Sequence, residues 1–409
     1  MSEHAAPSVG PVQETAQAPA AARVRESVTQ WSSALLSRGT AVPAILSLLV
    51  VTVFFQTQSE FFLSPTNLSN LAVQATLVAV IALGEVVVLL LAEIDLSLGS
   101  VSGATAAILG VLIGTADLPW FVAVVIMLAC GAAMGAVQGA WISWLGIPSF
   151  VVTLAGMLAF LGLQLYILGP QGTMSIFDPN IAALTETAVP ATIGWILAAI
   201  AVAGVALTVV RRARGAFELR SLGLPIVVAG LVVGVVALFN ASRGIPTALL
   251  VLVGLLILGW WITEHTRPGR HLFAVGGNAE AARRAGIAVK RIRFAAFTVA
   301  GTLGAVGGLL AASYNGSAGT LTGGGTLLLE AIGAAVIGGT SLFGGRGTVW
   351  SALFGSLIMA GVANGLDLTN STQPVKYMVQ GVIVLLAVSS DTILRRRKIT
   401  GRQVGGVRV

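Results

Sequence analysis

Apolar runs of membrane-crossing length follow one another along this 409-residue chain, near 41–56, 68–92, 98–116, 120–145, 148–169, 190–210, 222–240, 246–262, 294–314, 327–343, 348–366 and 375–394. A helix of about 20 apolar residues bridges the roughly 30 Å hydrocarbon core of a bilayer. Hydrophobic residues make up 56% of the chain and charged ones only 10%, and mean hydropathy is +0.92. Such a composition excludes an ordinary soluble domain. The fold class expected is all-α, a polytopic membrane protein with about 12 hydrophobic segments. The tenth run, Leu327 to Phe343, is the weakest, because it contains Glu330, Gly333, Gly338 and Gly339. It reads as a broken or re-entrant segment, which leaves ten to twelve true spans.

Charge placement orients the segments. With the N-terminus inside and the runs alternating, all but Arg243 and Lys376 of the 23 basic residues fall on the cytoplasmic side. The opposite orientation puts the same residues outside, so the positive-inside rule places both termini in the cytoplasm. Residues 1–38, rich in Ala, Pro, Ser, Gln and Glu, read as a disordered cytoplasmic tail rather than a signal peptide. Residues 39–398 form the membrane domain and 399–409 a second cytoplasmic tail. Trp120, Trp141, Trp144, Trp195, Trp260 and Trp261 lie near expected span ends, as an aromatic belt does.

The longest charged break is the basic loop at 265–293, with seven Arg and Lys residues. A short helix is expected on it. Asn278 is placed to N-cap, Glu280 stands in the first turn, Arg283 and Arg284 in the last, and Gly286 supplies a left-handed stop over which Ile287 closes. A helix of about two turns is marginal alone in water. Lipid headgroups or another protein must therefore dock on it.

Carboxylates inside spans cost several kcal/mol unless satisfied. Glu85 lies in the second run, facing either a polar path or a backbone donor of a neighbour. Glu93 and Asp95 stand at the break Glu93-Ile-Asp95-Leu-Ser-Leu-Gly99. Asp95, helped by Ser97, is placed to cap the third run. Glu330 either meets a sugar hydroxyl or caps the broken tenth segment. Gln74, Asn315, Asn364 and Asn370 offer uncharged hydrogen-bonding groups, either for a polyol path or for interhelical bonds. Gly131, Gly135 and Gly139 form one small-residue face, as do Gly301, Gly304, Gly307 and Gly308, and Gly355, Gly361 and Gly365. These faces serve internal helix packing or a dimer seam.

Several chemistries are excluded. None of the three lysines, Lys290, Lys376 and Lys398, follows a glycine, so no P-loop is present. His4, His265 and His271 lie outside the runs, which rules out a histidine proton relay and a His-Glu-x-x-His zinc site. Cys130 is the only cysteine, so neither a disulfide framework nor a cysteine metal site forms within one chain. Basic residues flank apolar runs instead of covering one surface, which argues against nucleic acid.

The ordered motifs Glu93-Ile-Asp-Leu-Ser-Leu-Gly-Ser100, Ile147-Pro-Ser-Phe150, Ala274-Val-Gly-Gly-Asn278 and Val336-Ile-Gly-Gly-Thr-Ser-Leu342 resemble the permease subunits of carbohydrate ABC importers of the ribose/xylose/galactoside class. The Glu-Ile-Asp form, the Pro-Ser-Phe block and the extra apolar pair at 222–240 and 246–262 are most similar to the D-xylose branch. The resemblance spans about residues 40 to 398. It implies a homodimer of this chain, an ATPase subunit inside that carries the ATP and Mg, an extracytoplasmic sugar-binding protein, and a place in a prokaryotic cell membrane. The chain itself would bind no cofactor and catalyse nothing. The resemblance makes the basic helix a coupling helix, with Gly276, Gly277, Asn278, Glu280, Arg283, Arg284 and Gly286 contacting the ATPase. Gln74, Glu85, Glu93, Asp95, Asn315, Glu330 and Asn364 are the candidates for a transport path. Relatives carry Glu-Leu-Asp-Ala-Ile where this chain has Leu328-Leu-Glu330-Ala-Ile332. Arg346, after the tenth run, faces lipid phosphate or the ATPase. The alternative is a proton- or sodium-coupled transporter, which twelve spans and Glu85 would also suit.

Overall fold

A computed structural model describes residues 41–213, 223–324 and 326–404 of the chain. The tail 1–38, Arg214, Arg220 and residues 405–409 lie outside the described residues.

Each apolar run contains a helix, though that of the tenth stops at Ile337. In chain order these are α1 (Ala41–Gln58), α2 (Pro65–Leu89), α3 (Leu98–Gly114), α4 (Trp120–Ala140) and α5 (Ser149–Leu168), then α6 (Pro179–Glu186), α7 (Ala191–Ala213), α8 (Gly223–Asn240) and α9 (Thr247–His265). Next come α10 (Arg267–Gly277) and α11 (Ala279–Arg284) on the basic loop, then α12 (Val289–Asn315), α13 (Thr326–Ile337), α14 (Trp350–Leu368) and α15 (Gln373–Val404). Among the described residues six helices are long and apolar enough to cross a membrane: α2, α4 with its π-helical extension Trp141–Leu145, α5, α9, α12 and α14. The apolar parts of α1, α3, α7, α8 and α13 are shorter. The last helix runs on to Val404, past the end of its apolar run.

The interior is built around α2. Ser64 caps its start by accepting from the Asn67 N–H at 3.3 Å, and Pro65 takes the first helical position. From Leu71 to Leu89 nearly every residue of α2 is buried, as expected of a helix apolar all round. By contrast α4, α5 and α9 expose much of their apolar surface, including Trp120, Trp141, Trp260 and Trp261.

Glycine sets the closest crossings, and they are internal. A Cβ at Gly139 would meet the Phe294 carbonyl oxygen at 3.0 Å, and one at Gly131 would meet the Gly301 carbonyl at 2.7 Å. Gly131, Gly135, Gly139 and Gly301 therefore let α4 and α12 pack backbone to backbone. Gly307 receives Ile81 of α2, and Gly355 packs on Ala334 of α13. The peripheral hairpin is α7 with α8, seated on α2 through Ala198, Val236 and Phe239 beside Ala72. The helix α9 packs on α2 and leads into the basic loop. The helices of the extra apolar pair, α8 and α9, both contribute to the cluster around Ala72.

At the end opposite the basic loop, two short antiparallel ribbons tie the connections together. β1 (Thr173–Ser175) pairs with β4 (Ser317–Gly319), and β2 (Ala188–Val189) with β3 (Ile245–Pro246). Asp178 caps α6, and Thr185 bonds Ser313 of α12 at 2.8 Å.

The tenth run is a half-length element. α13 has 12 residues, about 18 Å of rise. The chain before it packs along α3: a Cβ at Gly99 would lie 2.6 Å from the Gly323 carbonyl and 3.0 Å from the Leu328 Cβ. Gln164 of α5 clamps this stretch, donating to the Gly319 carbonyl at 2.8 Å and the Thr322 carbonyl at 2.9 Å. α3 and α13 thus both begin partway along their neighbours.

Candidate functional site

The basic loop folds as two short helices in series. Thr266 caps α10 by accepting from the Gly269 N–H at 3.4 Å. Gly269, Leu272 and Gly276 recur on one buried stripe, while Arg267 and Arg270 stay exposed. This helix was not foreseen, because Gly269, Gly276 and Gly277 read as loop residues; its apolar spacing was the available signal. Gly276 and Gly277 therefore end α10 and do not belong to the next helix.

Asn278 separates the two. Its backbone is extended, at φ −163° and ψ 101°, and its side-chain oxygen accepts from the Ala281 N–H at 2.9 Å. The stop after α11 is a Schellman pair. Gly286, at φ +82°, donates to the Arg283 carbonyl at 3.0 Å, and Ile287 to the Ala282 carbonyl at 3.0 Å. Ala282 is buried, and Ala279 and Ile287 pack on the central apolar cluster. Glu280, Arg283 and Arg284 face outward. Arg283 first, then Arg284, holds the Glu280 carboxyl below the usual carboxylate range, through contacts of 2.8 and 3.1 Å. The result is a six-residue helix seated by one face, with an ionised triad on the other.

The seat connects to the rest of the bundle. A Cβ at Gly276 would collide with the Leu90 carbonyl oxygen. That oxygen also accepts from the Gly345 N–H at 3.0 Å. Gly344 and Gly345 hold φ of +74° and +68° in the turn after α13, and Ala92 holds +60° after α2. Glu93 pairs with Arg293 of α12 at 3.0 Å, a charge contact whose N–H is not aligned on the oxygen. The ends of α2 and α10, the turn after α13 and the start of α12 thus meet where α10 leads into α11. Arg346, two residues beyond Gly344, is exposed at the same end.

The polar residues placed in or beside spans fall into separate groups. Asp95 is not the cap residue of α3; Ser97 holds that position without a side-chain cap bond. Asp95 instead closes a tight turn before the helix, accepting from the Ser97 N–H at 2.8 Å and hydroxyl at 2.6 Å. Gln138 of α4 donates to the same hydroxyl at 2.9 Å. Glu85 accepts the Asp95 N–H at 3.5 Å, so it meets a neighbour's backbone donor. One carboxylate oxygen of Glu85, one of Asp95 and the Gln138 carbonyl oxygen are buried without a partner.

Gln74 and Asn364 join Asn67 in a ring between α2 and α14, with Asn67 and Asn364 exchanging bonds of 2.8 and 3.1 Å. Glu330 is not a cap: it accepts from Gln380 of α15 at 2.9 Å. Asn315 is exposed at the far end of α12. Asn67, Gln138, Gln164 and Gln380 were missed by sequence reasoning. A single polar residue in an apolar run is a visible signal, but its partner is not.

These features define a helical membrane protein with a structured cationic loop at one end and polar islands inside. The chain belongs to the family described as "Branched-chain amino acid transport system / permease component", whose profile matches residues 67–388. It is 37% identical over 368 residues, 86% of this chain and 92% of the relative, to the xylose transport system permease protein XylH of Escherichia coli K12. The Haemophilus influenzae protein of that name is 36% identical, over 86% of this chain and 96% of its own. The ribose import permease protein RbsC of Escherichia coli K12 is 30% identical, over 85% and 92%. No solved structure matches the chain.

Proposed function

We propose that this chain is the transmembrane subunit of an ATP-driven importer for D-xylose or a related monosaccharide, and that α11 is the handle by which a separate ATPase moves it. The observation that carries this reading is the seating of α11. Its inner face buries Ala282 in the central apolar cluster, it follows directly on α10, whose Gly276 packs on Leu90 at the end of α2, and its outer face offers Glu280, Arg283 and Arg284. A push on the outer face passes through α10 and its Gly276 to the end of α2. Likeness to xylose and ribose permeases over most of the chain supports a sugar cargo.

In this reading the basic end faces the cytoplasm with both termini, and the chain crosses the cell membrane up to twelve times. α13 and the stretch before it form one interrupted crossing. Two copies of the chain pair, with ATP and Mg bound by the ATPase subunits and a sugar-binding protein delivering cargo outside. Closure of the ATPases rocks the bundle between outward and inward access.

The test is Ala282→Pro beside Arg283→Glu/Arg284→Glu. The proline removes the bond from the Ala282 N–H to the Asn278 carbonyl, 2.9 Å in the structure. The arginine variant leaves every backbone N–H of the helix in place and reverses its outer charge. Both should insert in the membrane yet lose ATPase co-purification and sugar uptake. Uptake at wild-type rates in both would overturn the assignment.

A further inference from the structure

An apolar groove of about 190 Å³ opens beside the handle, between α2, α9, α10 and α12. Its walls include Leu258, Ile262, Leu272, Ala295 and Val299, with Leu83 at its back. Leu258, Ile262 and Val299 are exposed on the surface of the chain, so the groove faces outward. At 190 Å³ it accommodates a stretch of hydrocarbon chain and no whole folded element.

Its rim has a definite chemistry. Pro268 and Gly269 line the groove, and Arg267 and Arg270 flank them, both exposed. On α12, Arg291 stands four residues before Ala295 and eight before Val299, so it lies one turn beyond them on the same stripe. Among the described residues none of these three arginines has an acidic partner. Trp260 and Trp261, both exposed, lie on α9 among the wall residues Leu258 and Ile262. Indole rings settle at the headgroup depth of a bilayer, and the basic loop that carries Arg267 and Arg270 begins about one turn beyond them.

We infer that this groove is a binding site for an anionic phospholipid, with one acyl chain between α9 and α12 and the phosphate on Arg267, Arg270 and Arg291. The apolar channel alone would accept any lipid tail. The unpaired cations at its mouth select the negative headgroup. Because α10 forms one wall and carries Gly276 to the handle, a bound lipid also fixes the position of the handle. The inference rests on the reading that the basic end lies at the inner leaflet.

The test uses the full chain purified in mild detergent, with native mass spectrometry counting retained dioleoyl phosphatidylglycerol against phosphatidylcholine. The wild type should retain one phosphatidylglycerol per chain through washing. Arg267→Gln/Arg270→Gln/Arg291→Gln should weaken it by about fivefold per cation removed, roughly a hundredfold in all, and erase the preference over phosphatidylcholine. Ala295→Phe, at an exposed wall position, should displace both lipids. Retention unchanged by both variants overturns the proposal. So does loss of a dimer on Ala295→Phe with no lipid retained by the wild type, which would make a second copy the occupant. The readout needs neither ATPase nor sugar, so its failure leaves the handle assignment standing, and failure of the handle leaves the lipid count unaltered.

Discussion

Asn278 serves two helices at once. Its own N–H ends α10 on the Ala274 carbonyl at 3.1 Å, and its side chain starts α11 on the Ala281 N–H at 2.9 Å. Asn278→Ala should destabilise the local helix by about 1 kcal/mol. Hydrogen exchange should show this as faster exchange at Ala281 and Ala282 with the bundle amides unchanged, and Asn278→Asp should restore protection. This residue was legible in the sequence because a cap is decided within four residues. Gly286 was legible for the same reason, and its left-handed φ agrees. Gly276 stands out in the sequence, but its packing partner does not. It must be glycine because of Leu90, a contact no local pattern announces. Asp95 shows the same limit in reverse. An acidic residue before a helix suggests a cap, yet the turn geometry gives its oxygen to Ser97.

At the scale of elements, the α4–α12 crossing separates glycines that matter from those that do not. Gly135 faces Phe297 and Gly301 of α12, where an added Cβ would collide with the Phe297 carbonyl oxygen and lie 3.1 Å from the Gly301 Cα. Gly162 of α5 has open space around its missing side chain. Gly135→Ala should therefore cost about 1–3 kcal/mol by forcing the helices apart. Gly162→Ala should be neutral or stabilising by a few tenths, since alanine is the better helix former. Thermal unfolding in detergent checks the pair, and equal melting points would remove the close-crossing argument. The four-residue spacing in α4 was readable in the sequence, but its partner helix was not. Polar residues behaved likewise. Gln74 and Asn364 were visible as anomalies in apolar runs, while the ring they make with Asn67 depends on how α2 meets α14. The helix α10 escaped notice because its three glycines mimic a loop, and burial against α9 and α12 holds it folded despite them.

For the whole molecule, sidedness follows from which helix ends meet. The ends of α2, α10 and α13 join the start of α12 near the handle. The end of α12 passes into β4, which pairs with β1 after α5. α12 therefore carries the chain from the cationic end to the ribbon end, and the proposed topology has the former in the cytoplasm. Because Cys130 is the only cysteine, a Cys130→Ser background leaves single reporters free of interference. Ala281→Cys, exposed on α11, and Thr320→Cys, exposed beside β4, sit at opposite ends. A membrane-impermeant maleimide added to intact cells should label the Thr320 variant and spare the Ala281 variant, and in inverted vesicles the pattern should reverse. Labelling of Ala281→Cys from outside would place the handle where no cytoplasmic motor reaches it. That single result would remove the coupling role of Glu280, Arg283 and Arg284, because their outward charge would then face the wrong compartment.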